Sequence, residues 1–180
     1  KAHMMEGERI LIIGNSGSGK TWLGTPLSQK MNIPLHHMDT LRWDKGGYKI
    51  RRSAADIYKD LDAIQKQDQW ILEGVFGKMI ERCLPFSTLL IWLNLPWEDC
   101  KQNLLYRGPK FEDFLNSREK KKALNKLIEW ASERESRTDA NAWDFFNNLY
   151  KDFKYTKTCL RSRRDILVFL KRADEGNKPS

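Results

Sequence analysis

The sequence predicts an α/β fold built on a parallel sheet, and three observations predict it. Short, almost wholly apolar runs recur at Ile10–Ile13, Trp70–Leu72 and Thr88–Leu95. Strands apolar on both faces are what a parallel sheet covered by helices requires. Between them lie stretches with apolar residues three and four apart, such as Ile57, Leu61 and Ile64, which mark helices with one buried face. The third observation is the stretch Gly14-Asn15-Ser16-Gly17-Ser18-Gly19-Lys20-Thr21. It matches G-x-x-x-x-G-K-[ST] and sits between the first apolar run and a helical face opened by Leu23 and Leu27.

That stretch carries its own chemistry. A polyphosphate is wrapped by backbone N–H groups, and an inward β-carbon would block the approach. Gly14, Gly17 and Gly19 remove the obstacle and allow positive φ. The helix that opens near Lys20 aims free N–H groups and its positive dipole end at the phosphates. Lys20 is expected to reach the β and γ oxygens, and the Thr21 hydroxyl to ligate Mg²⁺. The other reading of the stretch is a Gly/Ser-rich turn before a helix.

The whole chain sets the bounds. Its 180 residues suit one domain, expected over residues 4–173, with Lys1-Ala2-His3 read as a cloning scar and 174–180 as a tail without fixed structure. Hydrophobic residues are 40% and charged residues 31%, as in a soluble globular protein. No apolar run approaches a membrane span and there is no signal-peptide core, and the three cysteines, which make no disulfide framework, suit the expected reducing cytoplasm. Cys83, Cys100 and Cys159 are odd in number and far apart, forming neither a zinc spacing nor a disulfide framework. The net charge of +8 suits a polyanion, and charge alone does not separate nucleotide from nucleic acid.

In chain order, a strand over Arg9–Ile13 leads through the glycine-rich loop into a helix running to Met31, with a kink or widened turn expected at Pro26. A second strand over Ile33–Met38 ends in Asp39, on the edge where open α/β sheets bind ligands. His36 and His37 read as strand residues, since no metal-type spacing surrounds them. Arg42, Trp43 and Tyr48 read either as a wall of an acceptor site or as core cover. Ser53-Ala54-Ala55-Asp56 resembles a capping box opening a helix. The third strand, Trp70–Leu72, ends in Glu73-Gly74, an acid suited to Mg²⁺ or its water shell beside a glycine that leaves space. A fourth strand over Thr88–Leu95 stops at Pro96, and a helix from Trp97 to Arg107 uses Cys100, Leu104 and Leu105 inward. From Phe111 to Phe153 the chain is polar with embedded aromatics and reads as a helical, lid-like insert, with Arg118, Arg134 and Arg137 as candidate phosphate contacts on closure. Thr156–Leu160 is the fifth strand, and Ser162-Arg163-Arg164-Asp165 caps a last helix.

In these landmarks the chain resembles P-loop kinases of the adenylate kinase and shikimate kinase type, and more closely bacterial proteins labelled FlaR-type DNA topology modulation proteins, or adenylate kinase-related. The resemblance rests on Arg9–Thr21, Pro34–Asp39 with Trp43, Trp70–Gly74, Leu89–Pro96 and Cys159–Leu167. It implies a three-layer α/β/α sandwich of the P-loop NTPase kind, with a five-stranded parallel sheet ordered 2-3-1-4-5. It implies ATP as donor and Mg²⁺ as metal. By position, Asp39 resembles the acid that orients an acceptor hydroxyl and assists Mg²⁺. Arg107 resembles an arginine lying against ATP, and Arg161 and Ser162 fall in a loop expected near adenine. Glu73 stands where such kinases more often carry Asp. The Asp-Gly-Phe-Pro-Arg signature and acceptor arginines of adenylate kinases are absent, with Glu73-Gly74-Val75-Phe76-Gly77 in place, which argues against AMP as acceptor.

The leading expectation is therefore a Mg²⁺-dependent kinase acting on a small molecule or nucleotide, with Lys20, Asp39 and Arg107 catalytic. Two alternatives stand beside it: a nucleotide-binding NTPase or switch with no small acceptor, and a nucleic-acid-associated protein.

Overall fold

A computed structural model of the chain describes residues 7–44, 47–108 and 116–176. The expected scar at Lys1–His3, Gly46, the side chain of Tyr48, Pro109, the start of the insert at Phe111 and the end of the tail lie outside the described residues.

The elements follow in the order β1 (Arg9–Gly14), α1 (Lys20–Met31), β2 (Leu35–His37), α2 (Met38–Leu41), β3 (Trp43–Asp44), β4 (Gly47–Arg51), α3 (Ala54–Gln65) and β5 (Trp70–Gly74). Next come α4 (Gly77–Cys83), β6 (Leu89–Leu93), α5 (Trp97–Arg107), α6 (Ser117–Ser132), α7 (Trp143–Asp152), β7 (Thr156–Leu160) and α8 (Arg163–Gly176). The main sheet is ordered β2-β5-β1-β6-β7 and every pair is parallel. Counting its own five strands only, that is the order 2-3-1-4-5.

Alternation along the central strands builds two cores. Leu11, Ile13, Leu72 and Trp92 face one side, packed under α3, α4 and α7 through Leu61, Ile80 and Phe146. Ile10, Ile12, Ile71 and Ile91 face the other, under α1, α5 and α8 through Leu23, Cys100 and Ile166. The result is the three-layer sandwich.

Some local expectations shift. The second strand is shorter than the apolar run suggests: Met38 leaves the sheet and opens α2, so Asp39 lies in a helical turn just past the strand rather than on its end. The stretch after it is not a plain loop, because β3 and β4 pair as a small antiparallel hairpin. α1 runs unbroken through Pro26. Leu105, expected to face inward, is exposed, while Cys100 and Leu104 are buried. Both predicted caps form. Ser53 Oγ accepts from the Asp56 N–H at 3.2 Å, and Ser162 Oγ accepts from the Asp165 N–H at 3.1 Å. No described helix is long and apolar enough to cross a membrane.

Candidate active site

The glycine-rich loop leaves β1 at the carboxyl edge of the sheet and hands over to α1. Gly17 and Gly19 hold φ of 82° and 99°, values that suit glycine. A β-carbon on Gly17 would strike the carbonyl of Cys100, so α5 seats directly against the loop. Asn103 completes that seat by donating to the Gly17 carbonyl at 2.8 Å. Lys20 Nζ donates to the Asn15 carbonyl at 2.8 Å, which holds the ammonium across its own loop. Asn15 is buried. Its side-chain amide donates to the Ala131 carbonyl at 3.0 Å, and its oxygen accepts from the Ser16 N–H at 2.9 Å.

In front of the loop lies a cavity of about 1040 Å³. Ser16, Gly17, Ser18, Gly19, Lys20 and Thr21 form one wall. Asp39 and Arg42, from the segment after β2, Glu73, at the end of β5, and Phe76, just past it, line the same cavity. Arg107 closes the side from the last turn of α5. Donor-type and acceptor-type residues predicted from separate parts of the sequence thus share one space.

The charges in this space are held in different ways. Glu73 is 2% exposed, and its Oε1 meets His37 Nδ1 at 2.7 Å. The Arg42 guanidinium lies 3.9 Å over the Phe76 ring and 5.4 Å from the Trp43 ring. Burial lowers the Arg42 pKa, with the Arg51 charge adding to the effect and Asp39 opposing it. Arg107 remains reachable from the cavity, yet the protein crowding it lowers its pKa, against the pull of Asp39 and Glu73.

Not every predicted residue reaches the wall. Gly14 and Asn15 stand behind the loop. A β-carbon on Gly14 would meet Ser18 Oγ at 2.5 Å and the Leu93 carbonyl at 2.9 Å. Arg161 and Ser162 do not line the cavity either: the Arg161 N–H donates to Asp165 Oδ2 at 2.9 Å and Ser162 caps α8, so these groups build the helix start. The residue that faces the cavity there is Arg163, 5.1 Å over Trp22.

The insert's basic residues take different positions around α6. Its cavity stripe is Glu119, Lys122, Ala123, Lys126, Leu127 and Trp130, spaced three and four apart, and Arg118 does not line the cavity. Arg134 is buried and donates to the Leu95 carbonyl at 2.8 Å, while Arg137 stacks 4.1 Å over Trp130. α7, in contrast, packs into the core through Phe146.

With this geometry in view, the likeness to solved structures is informative. The chain is similar to shikimate kinase from Bacteroides thetaiotaomicron, with a TM-score of 0.54 and 18% identity over 93% of this chain and 97% of that one. A shikimate kinase from Acinetobacter baumannii, in complex with shikimate, gives 0.53 and 14% over 96% of both chains. A gluconokinase from Sinorhizobium meliloti 1021 gives 0.52 and 14% over 94% of this chain and 95% of that one. The fold is that of a P-loop kinase. No protein-family model and no curated protein matches the chain.

The donor set also suits magnesium. Among the described residues no cluster of three or more His, Cys, Asp or Glu could hold a metal by itself. Mg²⁺ is a hard cation normally bound by one or two carboxylates together with substrate phosphates, and Thr21 and Glu73 offer oxygen donors that line one cavity.

Proposed function

We propose that this protein is an ATP-dependent, Mg²⁺-assisted phosphotransferase that moves the γ-phosphoryl group to a hydroxyl or phosphate of a small acceptor. The observation that supports it most is the single cavity that Lys20 and the loop share with Asp39, Arg42 and Arg107. Phosphoryl transfer asks little covalent chemistry of a protein, and positioning and charge neutralisation do most of the work.

In this reading the loop amides take the β- and γ-phosphates, and Lys20 exchanges the Asn15 carbonyl for phosphate oxygens. Thr21 and Glu73 would hold Mg²⁺, the latter directly or through water, with Asp39 beside them. The bound cation would neutralise charge on the phosphates. Asp39 orients the acceptor hydroxyl. As the acceptor oxygen bonds to the γ-phosphorus, the bond to the β–γ bridging oxygen breaks, ADP departs with that electron pair, and the hydroxyl proton passes to the Asp39 carboxylate. Arg107 offsets charge on the transferred group. Trp22 and Arg163 supply a ring and a cation for the base. Arg42, presented by aromatic rings, suits an anionic group on the acceptor.

An ADP-release screen with Mg·ATP tests this against nucleosides, nucleotides and hydroxy acids, with Lys20→Ala as the blank. Turnover with one acceptor class, absent in Lys20→Ala, is the expected result. Calorimetry that registers no uptake of ATP, ADP or GTP by folded protein with Mg²⁺ overturns the reading. Hydrolysis that no acceptor accelerates replaces it with an NTPase. Steeply salt-dependent DNA affinity with no nucleotide uptake replaces it with a nucleic-acid-binding role.

A further inference from the structure

Glu73 has one more methylene than the Asp expected at its position, and so one more torsion to fix. It is also buried, where an unpaired carboxylate is costly. The sheet supplies an answer. β2 and β5 pair in parallel with His37 registered beside Glu73, and neighbours in register project to the same face. The end of β2 is held there, because a β-carbon on Gly74 would strike the sulfur of Met38. His37 Nδ1 then lies 2.7 Å from Glu73 Oε1. An ionised carboxylate only accepts hydrogen bonds, so the shared proton belongs to Nδ1. Glu73 itself lines the cavity.

We infer that His37 is a positioning residue: its Nδ1–H takes up the torsional freedom of Glu73 and holds the second carboxylate oxygen toward the phosphate-bound metal. The inference rests on the proposed role of Glu73. Hydrogen-bond partners of metal-bound carboxylates typically carry 10–100-fold in metal affinity, through orientation and basicity. The side chain of His37 is about a third exposed, so its removal opens no deep core cavity.

The test measures metal binding, not turnover. Mn²⁺ affinity of the ADP complex is read by electron paramagnetic resonance, ADP affinity without metal by calorimetry in EDTA, and the His37 ring by ¹⁵N NMR. His37→Leu should weaken Mn²⁺ binding by about 10–100-fold. His37→Asn, whose amide nitrogen replaces Nδ1, should restore most of it. In a Glu73→Gln background, His37→Leu should cost nothing more. The unmodified ring should carry its proton on Nδ1. Unchanged Mn²⁺ affinity in His37→Leu, an additive loss in the double variant, or a matching loss of metal-free ADP affinity each overturns the inference. Absence of any ADP uptake by the unmodified protein is a different result, and it overturns the phosphotransferase reading as well.

Discussion

At single residues the phosphate loop is packed too tightly to admit a side chain. Gly17 combines a left-handed φ with a β-carbon position occupied by the Cys100 carbonyl. Gly17→Ala should therefore lose about 1–3 kcal/mol in urea unfolding, from strain and overpacking together, and displace the loop from α5. Cys83 gives a second residue-scale expectation. Burial pushes its thiol up to about 12 from an ordinary 9.0, against the weaker pull of its Gln65 hydrogen bond. The folded protein holds the neutral thiol while the unfolded chain ionises above 9.0, so this contribution is full below 9.0 and fades as pH rises toward 12. Under native conditions at pH 8, Cys159, the one cysteine not buried, should react first with a thiol reagent and Cys83 should stay silent. Mass spectrometry of the labelled protein checks this.

At the scale of elements, capping and helix phase decide what points where. Ser162 and Asp165 form a reciprocal cap with the Arg161 N–H, so Ser162→Ala should cost about 1 kcal/mol in stability. Its effect on nucleotide affinity should be within twofold, a comparison of unfolding curves with calorimetry. α6 offers the opposite case. Lys122 and Lys126 lie four apart on the face toward the cavity, and Arg118 lies off it. Lys126→Ala should weaken ATP binding or raise its KM about tenfold, as expected for one charge-assisted contact, while Arg118→Ala should leave both near the starting value. Equal effects from the two would mean that α6 acts only through net charge. Asn15 ties the C-terminal end of α6 to the loop, so movement of one is felt by the other.

For the molecule as a whole, the sheet's carboxyl edge gathers segments far apart in the chain into one cavity. A ligand that binds only the folded state stabilises it by mass action, about 2.7 kcal/mol at a hundredfold excess over Kd. For a domain of this size that is a Tm rise of roughly 5–10 °C. Mg·ADP should produce it in the unmodified protein and not in Lys20→Ala. A shift that survives loss of the Lys20 ammonium would point to a nucleotide bound elsewhere.

The fold and the phosphate loop were legible in the sequence because their causes are local. Apolar runs, the Gly-Lys-Thr spacing and the two Ser-x-x-Asp caps act within a few residues, so their order alone yields the strand–loop–helix unit and the alternation around it. The grip on Glu73, the rings under Arg42 and the choice of Lys122 and Lys126 over Arg118 were decided only by the tertiary structure. So was the turn that lifts Asp39 off β2. Each depends on the register of strands or the phase of a helix against a distant partner. Such relations arise when the core closes, and no window of adjacent residues contains them.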